Sequence, residues 1–266
     1  MDNYFEYKHN CRGINYCYTR KPMIDEREIH SYHEILYYVD GDATFICDSF
    51  SQKPSPASLL LIPKGCYHFF KTEDPRRFER LKISFTQIEG FEGLASAMTE
   101  VQIFEELDAS ISALLAQICN RLAADGSDTD RSAFLFGALL ILLSSLTGGE
   151  RKNSEGSRDR LIAATLRYID SNISKPLDAN TLSEAINVSA STLTHTFKQE
   201  MGISLHKYVT QKRIALSQRL IADGENPTKI YSECGYGDYS SFYKAYVKFV
   251  GHPPSLSEST RKLPKI

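Results

Sequence analysis

A three-part pattern occurs twice between Asp178 and Pro254, and it constrains the fold more than any other feature of the sequence. In each copy a short helical segment is followed by a tight polar turn and then by a second helix. The second helices begin after Ser189 and Asp238, whose side chains can accept hydrogen bonds from free N–H groups, and each ends at a glycine. Two capped helices joined by a tight turn form a helix-turn-helix. Two copies in one chain indicate a DNA-binding domain.

The spacing of apolar residues gives the extent of each predicted helix. The first copy predicts helices over residues 178–186 and 189–202. The second copy predicts a helical segment from Pro227, a turn over residues 235–237, and a helix over residues 238–251. Both copies therefore have the same order of elements.

Two further helices are predicted around these units. Leu161 begins the apolar stripe of an opening helix, and residues 204–222 form a helix that joins the two units. The joining helix would hold the two units about one DNA turn apart, roughly 34 Å. Arg213 in this helix has two open interpretations, a buried ion pair or a DNA contact.

These residues resemble the DNA-binding domain of the AraC/XylS-type bacterial transcription regulators, over residues 161–254. The positions that carry the resemblance are Leu182, Ile186, Ser189, Leu193, Phe197, Lys198, Gly202, Ile203, Ser204, Tyr208, Arg213, Leu220, Ile230, Gly235, Tyr236, Gly237, Asp238, Ser241, Phe242, Gly251 and Pro254. Tyr231 stands where the family usually has a small alanine, and Ser257-Glu258 replace the family's Tyr-Arg. The resemblance implies that each second helix enters a major groove of double-stranded promoter DNA.

The outer faces of the two second helices carry the predicted DNA contacts. A rotation of about 100° per residue, with the apolar pairs turned inward, leaves one polar face on each helix. The residues on these faces are Ser191, Thr194, His195, Lys198, Tyr239, Ser240, Tyr243 and Lys244. Lysines hold phosphates, while hydroxyl groups can contact bases or phosphates. The alternative for Ser191 and Thr194 is a solvated helix face.

Charge divides the chain as expected for one DNA-facing domain. Residues 158–266 hold 15 Lys and Arg against 10 Asp and Glu, a net charge of +5. The whole chain of 266 residues carries −2, which leaves −7 for the rest. A basic part beside an acidic part is typical of a DNA-binding domain fused to another domain.

Cysteine usage and hydropathy predict a cytoplasmic protein without a membrane span. The six cysteines include no Cys-x-x-Cys pair, and we expect all of them to be free thiols. The first ten residues do not resemble a signal peptide. The longest apolar run, residues 133–143, is too short for a bilayer, which needs about 20 residues.

Short strands and tight turns predict a β-barrel or jelly roll over residues 1–90. Apolar runs at residues 35–39, 43–47 and 59–62 are separated by turn residues, and further strands are predicted at 67–70 and 80–85. The predicted ligand contacts in this barrel are His30, Tyr32, Glu34, Tyr37, His68 and Phe70. We expect an uncharged or sugar-like small-molecule effector.

The order of polar residues in this region is similar to that of cupin barrels. Glu34 stands seven residues before Gly41, and His68 follows Pro63 and Gly65 at the spacing of the second cupin stretch. The resemblance implies that His30, Glu34 and His68 could hold a divalent metal. The alternative, which we favour, is a metal-free pocket, with no metal and no cofactor.

Residues 91–146 predict a helical arm. Apolar residues at steps of three and four indicate one helix over residues 91–122 and another over 130–146. The resemblance implies an arm for homodimer formation, and the alternative is a pair of helices that covers the barrel. Residues 147–157 contain no apolar side chain and predict a linker, followed by the DNA-binding domain over 158–256 and a tail over 257–266.

The sequence therefore predicts an α+β protein of two domains, a cupin-like barrel with a helical arm and an all-α domain of two helix-turn-helix units. The resemblance implies a ligand-responsive transcription regulator, an activator that contacts RNA polymerase. Catalytic motifs such as Gly-x-Ser-x-Gly are absent from the sequence, so we predict no catalytic residue. Two alternatives remain: a metal-dependent cupin enzyme fused to a DNA-binding domain, and a constitutive DNA-bending scaffold.

Overall fold

Two antiparallel sheets form the N-terminal part of the chain, and helices form the rest. The computed structural model describes residues 4–21, 27–72, 78–88, 98–147 and 160–254. Its strands are β1 Phe5–Cys11, β2 Ile14–Arg20, β3 Glu28–Ile29, β4 His33–Gly41, β5 Ala43–Cys47, β6 Ser51–Gln52, β7 Ser58–Ile62, β8 Tyr67–Thr72, β9 Phe78–Phe85 and β10 Gln102–Phe104. Its helices are α1 Ala109–Ala123, α2 Asp128–Thr147, α3 Arg160–Ser171, α4 Ala179–Ile186, α5 Ala190–Met201, α6 Leu205–Ala222 and α7 Tyr239–Val250. The predicted fold class is confirmed.

The strands are arranged in two sheets that face each other. Sheet A has the order β1-β2-β9-β4-β7-β10, and sheet B has the order β3-β8-β5-β6. Strands that are neighbours in the sheets are mostly not neighbours in sequence, as in a jelly roll. The predicted strands at residues 35–39, 43–47, 59–62, 67–70 and 80–85 all lie within observed strands.

The strands β4, β7 and β9 of sheet A are buried on both faces. Successive residues of a strand point to opposite sides, so each strand contributes to two cores. In β4, Leu36 and Tyr38 belong to the core between the two sheets, whereas Ile35 and Tyr37 belong to the core under α1 and α2. The barrel is therefore covered on the sheet A side by the helix pair.

The first helix of the predicted arm differs from the prediction within the described residues. Residues 91–97 lie outside the described part of the chain, and the prediction of helix is wrong for Gln102–Phe104, which form β10 and pair with β7. Asp108, which interrupts the apolar stripe in the sequence, is the N-cap of α1 and accepts a hydrogen bond from the Ser110 N–H. The second predicted helix is confirmed as α2, Asp128–Thr147.

Helix α2 is long and apolar. Residues 128–146 could cross a membrane by length and composition alone, although a core helix passes the same test. Leu135, Leu139 and Leu142 are fully buried in the core that α1, α2 and sheet A share. These contacts are those of a core helix on the barrel.

The C-terminal helices begin and end where the sequence predicts. Asp178, Ser189 and Asp238 cap α4, α5 and α7, and each side chain accepts a hydrogen bond from a backbone N–H of the first turn. Gly202 and Gly251 end α5 and α7 in the left-handed conformation. The local signals therefore define both helix-turn-helix units.

The first element of the second unit differs from the prediction. From Pro227 to Gly235 the backbone forms consecutive turns instead of a regular α-helix. Ile230 and Cys234 are nevertheless fully buried, as the apolar spacing predicts. Two hydrogen bonds of helical spacing remain, from the Cys234 N–H to the Ile230 carbonyl at 3.0 Å and from the Ile230 N–H to the Asn226 carbonyl at 3.3 Å. The second unit therefore keeps the packing of a helix-turn-helix without its full first helix.

Candidate nucleic-acid interface and sensor domain

The outer face of α5 is open to solvent. Ser191, His195 and Lys198 are exposed, while Leu193 and Phe197 are fully buried on the opposite side. The prediction of which face points outward is therefore confirmed for this helix. The fourth predicted contact, Thr194, is half-buried, and its hydroxyl donates to the Ala190 carbonyl at 2.8 Å. Thr194 can therefore offer DNA its methyl group more readily than its hydroxyl.

The outer face of α7 has the same construction with more aromatic surface. Ser240 and Lys244 are exposed, and Tyr243 is one of the few large apolar side chains in the described residues that are exposed, at 37%. Tyr239 is half-buried, because its ring packs on Phe242 and on Tyr231 at centroid distances of 5.9 and 6.4 Å. Tyr231, the departure from the family's small alanine, therefore supports the start of this helix.

Arg213 donates hydrogen bonds to two backbone carbonyls. Its Nε donates to the Ile173 carbonyl at 3.1 Å, and its Nη2 donates to the Lys175 carbonyl at 2.6 Å. A side chain at Gly235 would collide with both Arg213 and the Ile173 carbonyl, with a Cβ only 2.5–2.7 Å from their atoms. Arg213 therefore connects α6, the end of α3 and the turn of the second unit. It forms no ion pair among the described residues, so the ion-pair interpretation is wrong, while the DNA-contact interpretation stays a prediction.

A buried ionic cluster lies between the two sheets. Glu34 is fully buried, with the Nε2 atoms of His30 and His68 at 3.7 and 3.8 Å from its carboxylate oxygens. Lys82 Nζ lies 3.2 Å from Glu34 Oε2. Burial alone would raise the pKa of Glu34, but the positive charge of Lys82 lowers it to about 2. Burial lowers the pKa of His30 to about 3, so this imidazole is neutral at pH 7.

Sequence reasoning missed Lys82. Charged and apolar residues alternate in β9, a pattern that is typical of a strand with one face in solvent. Because sheet A is covered on both faces, every residue of β9 is buried. The signal that could have found Lys82 is the presence of a buried acidic residue, Glu34, that needs a partner.

The structure brings together four of the six predicted ligand contacts. His30 stacks on Tyr32 with ring centroids 3.9 Å apart, and His68 contacts His30 edge-on at 4.9 Å. Glu34 completes this group. The fifth residue, Phe70, lies farther along β8 and packs on Phe45 at 5.2 Å in the core between the sheets.

Tyr37 does not join the other predicted ligand contacts. It lies in the core under α1 and α2, because it stands three positions after Glu34 on β4, and an odd offset turns a side chain to the opposite face. Its prediction as a neighbour of His68 in one pocket is wrong. The cause is the period of two in a strand, which the aromatic spacing alone did not resolve.

The metal interpretation conflicts with the charge of the cluster. Ligand atoms of His30, Glu34 and His68 lie within 4.8 Å of one another, a spacing that could hold a metal ion. The Lys82 ammonium already neutralises the carboxylate, and it would repel a divalent ion at that position. The cluster therefore fits an ion pair flanked by imidazoles better than a metal centre.

A second set of contacts joins the barrel to the first helix-turn-helix unit. Asp48, after β5, accepts hydrogen bonds from the Tyr208 hydroxyl at 2.6 Å and from Lys212 Nζ at 3.2 Å. Lys212 also lies 3.0 Å from Asp170 of α3. Burial would lower the pKa of Lys212, but the two carboxylates raise it above its usual range. On the barrel side, Tyr67 donates to the Met201 carbonyl at 2.6 Å.

Apolar packing supports these polar contacts. Ile46, Tyr67 and Phe69, on the outer face of sheet B, share one core with the helices α3, α4, α5 and α6. Arg27 donates to the Gly202 carbonyl and lies over the ring of Phe69. Sequence reasoning missed this interface, because nothing in a single strand shows which domain its outer face meets.

Comparisons with known proteins agree with this architecture. A model described as the AraC-like ligand binding domain matches residues 11–139, and a helix-turn-helix domain model matches residues 182–257. The two matches correspond to the barrel with its helix pair and to the two helix-turn-helix units. The chain is therefore a helix-turn-helix transcription regulator with an N-terminal ligand-binding domain. It belongs to the AraC family.

Several relatives carry names of the same kind. The probable transcriptional regulator LumQ of Photobacterium leiognathi is 29% identical over 165 residues, covering 60% of this chain and 65% of the relative. The transcriptional activator RhaS of Citrobacter koseri is 28% identical over 227 residues, covering 80% of each chain. The crystal structure of ToxT from Vibrio cholerae O395 aligns over 95% of both chains at 15% identity, with a TM-score of 0.41. The family assignment rests on the two sequence models.

Proposed function

We propose that this protein binds promoter DNA through α5 and α7 and changes transcription when its N-terminal domain binds a small-molecule effector. The observation that carries the proposal is the pair of outward faces. Ser191, His195 and Lys198 on the first helix, and Ser240, Tyr243 and Lys244 on the second, are all exposed. Each face lies on a helix that is capped at both ends and anchored by buried aromatic side chains.

The two faces differ in the contacts that they can make. Lys198 and Lys244 would hold phosphates and set the position of each helix on the duplex. Tyr243 could cover a thymine methyl group, and Ser191 and Ser240 can donate to base edges or phosphates. Neither face carries an arginine, so we expect part of the specificity to come from DNA shape.

The further components of the proposal follow the family and its named relatives. We propose a cytoplasmic activator that contacts RNA polymerase, as the name of the RhaS relative suggests for activation. A homodimer would give the DNA two related half-sites. In α2, Ile141 is 57% exposed, although its neighbour Leu142 is buried. A second copy of the chain could pack against this exposed apolar side chain.

Genomic footprinting of the tagged protein in its native host, on several carbon sources, tests the whole proposal. Discrete sites whose occupancy or transcriptional output changes with one metabolite are expected. Occupancy that is diffuse and the same on every carbon source would instead support a constitutive DNA-bending scaffold. The footprinted fragment then serves as the probe for binding in vitro.

On that fragment, the phosphate contacts can be tested individually. Lys198→Ala and Lys244→Ala should each weaken binding about 3- to 10-fold and reduce the salt slope by about one, because each removes one counterion-releasing contact. Fluorescence anisotropy at several salt concentrations measures both effects. Lys71→Ala, an exposed lysine on β8 of the barrel, is the matched control and should leave both unchanged.

The combined variant His195→Ala with Lys244→Ala tests the assignment of the faces. It should lower promoter affinity further while the melting temperature falls by no more than a few degrees, because both side chains are exposed. A large loss of stability would show that these residues belong to the core and that the faces are wrongly assigned.

A metal-dependent enzyme is the second candidate, because the spacing of His30, Glu34 and His68 favours it. It requires a divalent ion in the purified protein at a stoichiometry near one, and the loss of that ion in His68→Ala. Elemental analysis of protein purified without chelators decides between the two. Protein that binds its DNA without stoichiometric metal would exclude the enzyme reading.

A further inference from the structure

A cavity of about 580 Å³ lies between the barrel and the joining helix α6. Its wall on the barrel side includes Ser31, His33 and Lys64, and its wall on the DNA-binding side includes Lys212 and Arg219. A cavity of this size is in the range that holds a small metabolite. It is separate from the ionic cluster, since none of the six predicted ligand contacts lines it.

The basic side chains of this cavity are only partly neutralised. Lys212 is paired with Asp48 and Asp170, and Asp170 is the acidic residue of the lining. Within the described part of the chain, Lys64 and Arg219 form no ion pair, and both residues are exposed to solvent. One lies on the barrel and the other on α6, so an anion bound by both would connect the two domains.

A buried polar atom on the wall lacks a partner. His33 is 2% exposed, its ring stacks on Phe85, and its Nδ1 makes no hydrogen bond among the described residues. Such atoms are uncommon in native structures, and a bound ligand is one of the usual reasons. His33 also lines the cavity, so its ring lies beside any molecule that is bound there.

The remaining polar lining favours a ligand with several hydroxyl groups. Ser31, Thr86, Thr99 and Gln87, which carry hydroxyl and amide groups, line the same space as the basic residues. The apolar lining, which includes Pro63, Met98, Ile173, Ala215 and Leu216, is divided between the two domains. A long hydrocarbon chain would leave these hydroxyl and amide groups unpaired.

We propose that this cavity binds a small anionic polyhydroxylated metabolite, a sugar phosphate or a sugar acid, whose acid group is held by Lys64 and Arg219. The inference rests on the proposed function, in which an effector controls DNA binding, and it places an effector site at the boundary of the two domains. His33 and the hydroxyl-bearing residues bind the sugar portion.

Such a ligand would act through the relative position of the domains. It contacts β4 and the loop before β8 on one side and α6 on the other, and α6 carries both helix-turn-helix units. A ligand shifts an equilibrium between two arrangements only by its difference in affinity for them. A ligand that bridges the interface has such a difference, because its contacts are complete only when the interface is closed.

Calorimetry on the full-length protein, with glucose 6-phosphate, glucuronate and glucose as probes, tests the proposal. At least one anionic sugar should bind and raise the melting temperature, and glucose at the same concentration should not. Glucose 6-phosphate alone would indicate a phosphate, and glucuronate alone a carboxylate. Equal binding of all three, or no binding of either anion up to 10 mM (roughly the weakest binding that an ordinary metabolite site would show), would overturn the proposal.

Matched variants locate the site. Lys64→Ala and Arg219→Ala should each weaken binding of the anionic sugar at least 10-fold, and His33→Phe should weaken it while retaining the stacking on Phe85. Lys71→Ala and Arg167→Ala remove exposed basic residues outside the cavity and should leave binding unchanged. If the two control variants weaken binding as much as Lys64→Ala and Arg219→Ala do, the anion binds basic residues anywhere on the surface. That result would also overturn the proposal.

Anisotropy with the footprinted DNA separates this inference from the proposed function. Addition of the bound sugar should change DNA affinity of the wild-type protein at least 3-fold and leave that of Lys64→Ala unchanged. If the protein binds its DNA but neither anionic sugar binds, the inference fails and the proposed function stands. If the protein binds no specific DNA, the proposed function itself fails, whether or not a sugar binds.

Discussion

The two helix-turn-helix units are similar in sequence pattern but differ in their surroundings. The core of the first unit includes three side chains of the barrel, Ile46, Tyr67 and Phe69. The core of the second unit consists of Ile214 and its neighbours on the C-terminal side and includes no barrel residue. The first unit thus shares a core with the sensor domain, while the second packs mainly on α6.

This difference indicates how one ligand could act on both proposed DNA-binding helices, α5 and α7. A change in the barrel reaches the first unit directly through shared packing. It reaches the second only through α6, whose Arg213 holds the end of α3 and the turn at Gly235. The position of the second unit relative to the first is therefore set by α6 and by the contacts of Arg213.

Truncation of the two buried phenylalanines gives the largest expected difference between the units. Phe197→Ala and Phe242→Ala each remove a fully buried ring and should lower the free energy of unfolding by about 3–5 kcal/mol. Because Phe197 packs on Tyr208, which donates to Asp48, its loss should also loosen the barrel. Urea unfolding and hydrogen exchange by mass spectrometry measure the two effects.

The pattern of exchange decides whether the units are as separate as described. Phe197→Ala should raise exchange in α5 and in β8, whereas Phe242→Ala should raise it in α7 and in residues 226–235 only. Tyr243→Ala, at an exposed position on α7, is the control and should change stability by less than about 0.5 kcal/mol. Faster exchange in β8 of Phe242→Ala would contradict the comparison.

Acid should weaken the barrel before it weakens the DNA-binding domain. Burial lowers the pKa of His30 to about 3, and burial with the charge of Lys64 lowers that of His33 to about 4. Below the ordinary value of 6.5 the unfolded chain takes up protons that the folded barrel does not, so stability falls as pH falls from 6.5. At pH 5 each histidine should cost roughly 2 kcal/mol.

Urea unfolding at pH 7.5 and pH 5.0, followed by circular dichroism, measures this loss. His30→Gln should reduce it, while His195→Gln, an exposed histidine of α5, should leave it unchanged. Equal stability of the wild-type protein at the two pH values would show that these imidazoles are not held neutral by burial.

Neutralisation of Asp48 should give a smaller effect that is specific to the first unit. Asp48→Asn keeps the shape of the side chain but leaves Lys212 with Asp170 alone, and it weakens the acceptor of the Tyr208 hydroxyl. A loss of about 1–3 kcal/mol is expected, with faster exchange over residues 205–216. Asp42→Asn, in an exposed pair with Lys53, is the control and should cost less than about 0.5 kcal/mol. Equal losses in both variants would show that the domain contact contributes nothing.

The helix-turn-helix units were predictable because their signals are local. The caps at Ser189 and Asp238 and the glycines at the helix ends act within one turn of the backbone, and the structure places each as predicted. The outward faces followed from the period of 3.6 residues alone. The short first element of the second unit was overestimated, because apolar spacing shows burial but not whether the backbone completes a regular helix.

The interior of the barrel was less predictable because it depends on what covers each sheet. Lys82 is buried because sheet B covers the face of sheet A that carries it, whereas Tyr37 belongs to the core under α1 and α2 on the opposite face. Likewise, β10 forms because Gln102–Phe104 pair with β7, which lies some 40 residues away in sequence. Such pairings are set by tertiary contacts, which no short window of sequence contains.

The contact of Asp48 with Tyr208 and Lys212 has a consequence for the exchange of domains between regulators. A barrel without an acidic residue at the end of β5 could not replace this one freely, because Lys212 and the Tyr208 hydroxyl would lose an acceptor inside a closed interface. Recombination that shuffles sensors among DNA-binding domains would therefore favour combinations in which this acid and these donors are inherited together. Chimeric regulators made with this C-terminal domain should be joined within α3, and Asp48 should be transplanted with it.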